Sequence, residues 1–294
     1  MPASRRAMAI GLACGASSAL CWAIGFVTAR YGILIGFTPA DLTFHRYVWA
    51  GLLFLLPFFL MSSRKEFGAI GWRRGLALTL FSGPLLAMLS YVGFTLVPLG
   101  HGAVIQPSSA AVSGIFLASI FLCEHLRATR IAAAITIVLG LVIFGFEAVT
   151  TMGAHGLLGD AAFLVAGLFW GAFGTLLRRW RIAPTQAVII VHVIALVFVP
   201  IYWRLVGFEN MLRLGWSENA LQILIQGVFA GPLAVFLFTR AVALLGGGRA
   251  AVFPALVPGF ALLIGYVMLG ETPSAIQLVG FAIVLVGFRF AMKA

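Results

Sequence analysis

The sequence is short of charge. Charged residues make up 9% of its 294 residues, against about 25% in a soluble domain. Acidic residues number 8, and lysine occurs only at Lys65 and Lys293. Such a chain cannot cover its own surface with polar groups, which excludes a soluble globular domain. Cysteine is scarce too. Cys14, Cys21 and Cys123 lie within apolar segments, with no CxxC pair and no histidine partner. That excludes a disulfide framework and a zinc site, so no metal and no cofactor are expected. Strict apolar–polar alternation is missing, which excludes a transmembrane barrel. The basic residues are scattered over several short loops with no domain to present them, so the formal charge of +11 gives no reason to expect a nucleic-acid partner.

Long apolar runs are what the chain has instead. It is 62% hydrophobic, with a mean hydropathy of +1.11. Apolar stretches of about 20 residues, enough to cross a bilayer as a helix, recur along it. Ten of them centre near Cys21, Leu52, Met88, Val112, Val138, Phe169, Val193, Ala234, Leu262 and Val284. The N-terminal run reaches Val27 with no clean cleavage site, so it reads as a retained first span. The fold class expected is an all-α polytopic membrane protein. Basic residues crowd the connectors on one side (Arg5, Arg6, Arg73, Arg74, Arg127, Arg178 and Arg179 among them), while Asp41, Glu209 and Glu271 fall on the other. By the positive-inside rule both termini are cytoplasmic, and the expected location is a bacterial inner (plasma) membrane.

The chain repeats itself. IQPSSAAVSGIFLASIFLCE (Ile105 to Glu124) is matched by VFPALVPGFALLIGYVMLGE (Val252 to Glu271), each with an early proline and a closing glutamate. SGPLLAM from Ser82 is matched by AGPLAVF from Ala230, and CWAIGF from Cys21 by FWGAFG from Phe169. The offset stays at about 145–149 residues, close to half the chain. Two halves follow, 1–150 and 151–294, of five helices each. Five is odd, so the second half enters the membrane from the opposite side. Inverted repeats of this kind place a small-molecule site near the midplane, between the halves.

Polar and aromatic groups inside spans are the candidates for that site: Trp22 and its counterpart Trp170, Ser82, Tyr91, His101 and Gln106. Pro84, Pro107, Pro232, Pro254 and Pro258 interrupt helical hydrogen bonding and read as hinges around a cavity. Glu124 and Glu271 close their spans and read as structural anchors, with Thr272 and Pro273 starting the next helix. Arg46 sits a turn from Asp41, so an ion pair between them, or a snorkelled side chain, is expected. The cavity should then carry no fixed net charge, and its ligand should be neutral or zwitterionic.

The first-span sequence ALCWAIGFVTAR, the matching LFWGAFGTLLRRW of the sixth, and the paired proline-to-glutamate spacings resemble the drug/metabolite transporter superfamily, EamA type. The chain is also similar to the YddG-type amino-acid exporters within it. The resemblance implies a secondary transporter, not an enzyme, that exports a small metabolite, with aromatic amino acids the first choice. A multidrug or lipid-linked metabolite carrier of the same fold is the alternative. An intramembrane enzyme is a distant one, since Ser113-Gly114 and His192 lack a GxSG context. The oligomeric state is open.

Topology makes the first prediction. Single cysteines introduced at Glu209 and Arg179 should label from outside and from inside respectively; the reverse pattern overturns the orientation.

Overall fold

The structure is a computed structural model that describes residues 5–60, 70–123, 125, 127–245, 250 and 253–293. The described residues form helices and connectors, with no strand among them. Eight helices are long and apolar enough to cross a membrane: α1 (Arg5–Ile35), α2 (Pro39–Phe59), α3 (Trp72–Leu96), α4 (Leu99–Phe121), α5 (Ala128–Phe146), α6 (Met152–Trp180), α7 (Pro184–Leu205) and α8 (Trp216–Leu245). Two shorter apolar helices follow, α9 (Phe253–Leu269) and α10 (Ala275–Phe290). Apolar side chains face outward along the spans, Leu56, Val142, Leu164 and Val267 among them. That is the surface a bilayer requires of a multi-pass protein.

The helix ends gather on two faces. Arg74 stacks over Trp180 at 5.6 Å, and Arg179 donates to the Phe121 carbonyl, so the basic connectors share one face. Asp41, Glu209 and Glu271 belong to the opposite, acidic face.

The halves meet along α1. Its small residues let second-half helices come close. Gly15 lies under the Phe253 ring, where an added Cβ would sit 2.1 Å from the ring. Gly25 faces Ala230 of α8, where an added Cβ would sit 2.5 Å from the alanine methyl. α4 packs on α6 and α9, α2 on α7 and α8, and α5 on α10. The α5–α10 contact is backbone to backbone, since a Cβ on Gly280 would lie 2.6 Å from the Phe144 nitrogen.

The prolines act in different ways. α3 breaks at Gly83 (φ −95°, ψ −153°), and Pro84 restarts the helix at its first turn. The freed carbonyl of Ser82 accepts the Tyr47 hydroxyl at 2.6 Å. Around Pro232 the chain does not break but widens into a π-helix over Ile223–Leu233. Pro254 lies in a short 3₁₀ turn, Phe253–Leu256, and Pro258 opens the α-helical part of α9. α4 runs unbroken through Pro107.

Packing yields the second prediction. Gly280→Val forces α5 and α10 apart and should lower stability by about 1–3 kcal/mol. Gly174 has open space where its Cβ would be, so Gly174→Ala should be neutral or stabilising by up to about 1 kcal/mol. Thermal unfolding in detergent measures both.

Candidate functional site

A cavity lies near the middle of the spans, toward the acidic face. It holds about 380 Å³ of empty space, its open mouth included. Its lining draws on α1, α2, α3, α4 and α8, and so on both halves. α1 supplies Trp22 and Phe26, four residues apart on one face. α3 supplies Ser90 and Tyr91 just past its break, α4 supplies Gln106, and α8 supplies Gln226 from the π-helix.

Hydrogen bonds fix the orientation of these groups. Gln226 Nε2 donates to the Gly25 carbonyl at 2.8 Å. Its Oε1 therefore faces the cavity as an acceptor, taking the Tyr91 hydroxyl at 3.0 Å and Arg46 Nη1 at 3.3 Å. Ser90 and Gln106 Oε1 lie 2.9 Å apart. Trp22 packs on Phe238 at 5.6 Å, and Phe26 meets Phe94 edge-on at 5.9 Å. One wall is thus aromatic and the other is built of amides and hydroxyls.

Arg46 corrects two expectations. It lines the cavity, so the cavity does carry a fixed charge, and it does not pair with Asp41. The reason is helical phase. Residues five apart on an α-helix point about 140° apart. Asp41 is turned away to bind the Thr38 backbone N–H at 2.8 Å, the Tyr202 hydroxyl, and Asn210 Nδ2 at 2.6 Å. At 1.5 Å per residue Arg46 lies about 10 Å into α2, too deep to reach the membrane surface easily.

Of the residues singled out from sequence, the structure brings Trp22, Tyr91 and Gln106 together around the cavity. Three others lie elsewhere. Trp170 is 37% exposed and stacks on Phe173 of its own helix, because the face of α6 that meets α4 is the glycine face of Gly167 and Gly171. Ser82 contributes its backbone at the α3 break rather than its side chain to the cavity. His101 is fully buried between Asp160 Oδ1, 2.7 Å from Nδ1, and Gln277 Nε2, 3.1 Å from Nε2. It joins α4, α6 and α10 as a structural bridge. Among the hinge prolines, none lines the cavity; Pro107 is next to Gln106, and Pro84 precedes Leu86 of the lining by two.

Glu271 anchors, but not where the sequence suggested. Its Oε1 takes Arg30 Nε at 2.7 Å and its Oε2 takes the Leu99 N–H at 2.6 Å, at the start of α4. A carboxylate there meets a free donor and the positive end of the helix. α10 starts later than expected. Ser274 and Gln277 cap it reciprocally, in place of Thr272 and Pro273. Arg30 also donates to the Phe94 carbonyl. This cluster ties α1, α3 and α4 to the α9–α10 connector through Arg30, the residue after Ala29 of the cavity. Glu124 lies outside the described residues.

Sequence reasoning missed Arg46 and the polar row on α8. Asn219, Gln222 and Gln226 fall at i, i+3 and i+7 in the first part of α8, a spacing that puts all three on one side. Asn219 Oδ1 faces His45 Nε2 at 3.0 Å, and Gln222 donates to the Thr28 carbonyl at 3.0 Å. Among the described residues no cluster of metal-binding side chains occurs.

The model of the EamA-like transporter family matches the chain twice, over residues 9–146 and 157–292. No curated protein matches the sequence. Fifteen chains of solved structures match. One is a crystal structure of a protein with 16% identity and a TM-score of 0.62, aligned over 98% of this chain and 97% of its own. At that identity the likeness is one of fold.

The Arg30–Glu271 pair generates the third prediction. Breaking a fully buried pair costs about 3–5 kcal/mol. Here the side chains are 14% and 21% exposed, so Glu271→Gln should cost less than that range. Arg30→Met combined with Glu271→Gln should recover part of the loss. A double-mutant cycle on thermal unfolding measures the coupling.

Proposed function

The chain belongs to the EamA-like transporter family, and from that premise we propose that it is a secondary transporter that exports a small neutral or zwitterionic metabolite, aromatic amino acids by preference. The two five-helix halves rock about the cavity so that it opens to one side of the membrane at a time. The two matches of the family model support a duplicated, transporter-type architecture rather than an enzyme. The protein sits in a bacterial inner membrane with both termini cytoplasmic, a reading supported by the basic face.

The observation that carries the substrate class is the composition of the cavity wall. Trp22 and Phe26 offer an aromatic surface to an apolar side chain. Ser90, Tyr91, Gln106 and Gln226 offer donors and acceptors to a polar head. Arg46 weighs against the multidrug alternative for cationic compounds, since a cation entering the cavity meets a like charge.

Counterflow in proteoliposomes tests the reading, with a panel of amino acids and with and without a pH gradient. Unlabelled aromatic amino acid inside should accelerate uptake of the labelled one. Trp22→Ala and Tyr91→Ala should weaken aromatic substrates more than small ones. An aromatic contact contributes about 0.5–1.5 kcal/mol beyond burial, which is roughly two- to tenfold in affinity. Absence of counterflow for every amino acid overturns the proposal.

A further inference from the structure

Charged side chains within spans need a partner or a function, because a cation at mid-membrane costs at least about 2.5–3.5 kcal/mol. Arg30 has Glu271. Asp160 has His101. Asp41 has a helix start, a tyrosine hydroxyl and an asparagine amide. Arg46 differs from these. Among the described residues it makes no ion pair, and its hydrogen-bond partners are uncharged groups, Gln226 Oε1 and the hydroxyls of Tyr47 and Tyr91, with the His192 imidazole nearby.

The hydrogen bond to Gln226 is long for a charged donor. It measures 3.3 Å, against about 2.7–2.9 Å for a charge-assisted hydrogen bond. A guanidinium carries five N–H donors in a planar fork, matched to a carboxylate. The neutral groups are themselves committed. Tyr47 gives its proton to Ser82, Tyr91 gives its own to Gln226, and Gln226 turns its NH₂ to Gly25. Each therefore presents only oxygen to Arg46, which fixes the guanidinium without neutralising it.

We infer that Arg46 is the anion-binding group of the cavity: its guanidinium takes the carboxylate of the transported solute, while Trp22 and Phe26 receive the solute's apolar part. The ligand class is a small carboxylic acid with an apolar or aromatic tail. An amino acid is one member, and a carboxylate without an amino group is another. The inference rests on the reading of this cavity as the transport site and adds which end of the solute goes where. It also supplies the missing counter-charge, since the solute neutralises Arg46 and Arg46 neutralises the solute during passage through the membrane.

The test is ligand-induced thermal stabilisation of the purified protein in detergent, followed by proteoliposome uptake. Matched sets are used: L-phenylalanine with L-phenylalaninamide, and 3-phenylpropionate with 3-phenylpropionamide and 3-phenylpropylamine. The wild type should bind each acid about 10–100-fold more tightly than its amide, the range expected for a hydrogen bond to a charged group. Arg46→Gln should abolish that preference and Arg46→Lys should keep part of it. Equal affinity of acid and amide in the wild type, or binding of the amine in preference to both, overturns the inference even if Arg46→Gln fails to fold. So does an undiminished preference for acids in a folded Arg46→Gln. The amino-acid reading fails separately, when 3-phenylpropionate binds in an Arg46-dependent way but L-phenylalanine neither binds nor is transported.

Discussion

The carboxamide of Gln226 is the contact on which the cavity depends. It reaches across from the second half to the Gly25 carbonyl in the first. A helix carbonyl already accepts its own i+4 N–H, so the bond uses the second lone pair and leaves α1 intact. It also requires the two backbones to lie close. Gly25 allows this, since any Cβ there would collide with Ala230. With the NH₂ committed, the amide oxygen must point into the cavity, and Tyr91 and Arg46 arrange themselves around it. One amide thus sets the spacing of the halves, the polarity of one wall and the position of the cavity's cation.

The wide turns around Gln226 follow from the same demand. A π-helix carries an extra residue per bonded ring and is found frequently at functional sites. Here it spans Ile223–Leu233 and brings Gln226 and Ala230 together onto the cavity, with Pro232 near its end. The first-half counterpart meets its Gly-Pro pair differently. α3 breaks at Gly83 and restarts at Pro84, and the orphan Ser82 carbonyl is satisfied by Tyr47 from α2. In lipid a freed backbone group must find a partner within the protein. Repeated sequence therefore does not give repeated geometry, because the two halves have different neighbours at hand.

Much of the architecture was legible because bulk properties and repetition are insensitive to side-chain direction. Hydropathy located ten helices, and the near-constant offset indicated a duplicated chain that the family model matches twice. The site was legible only where a residue's helix face was implied. Trp22 stands out as an aromatic deep in the first span, and Tyr91 and Gln106 lie in spans that carry Pro84 and Pro107. Arg46 lies near Asp41 in sequence but not in space, because five residues turn a helix nearly to its other side. Glu271 binds the start of α4, 172 residues away, rather than the helix that follows it in sequence. Tertiary partners of this kind leave no local trace.

Trp22 and Trp170 show what an inverted repeat preserves and what it does not. They hold equivalent places in the two halves, and each follows a hydrophobic residue at the same point of its helix. α1 packs its glycines on α8 and α9, across the boundary between halves, and leaves Trp22 beside the cavity. α6 packs its glycines on α4, with Gly167 under Ser109 and Gly171 under Ser113, and Trp170 is left on the outer side. The cavity is consequently lopsided. Trp22, Phe26, Arg46, Tyr91 and Gln106 come from the first half, and Gln226 and Ala230 are what the second contributes. A symmetric cavity would hold a symmetric solute equally well in two orientations. A cavity with its cation and its indole supplied by different helices of one half favours a solute whose two ends differ, held in one orientation. The second half is linked to the half that supplies most of the lining through Gln226 in the middle and through Glu271 at the acidic face.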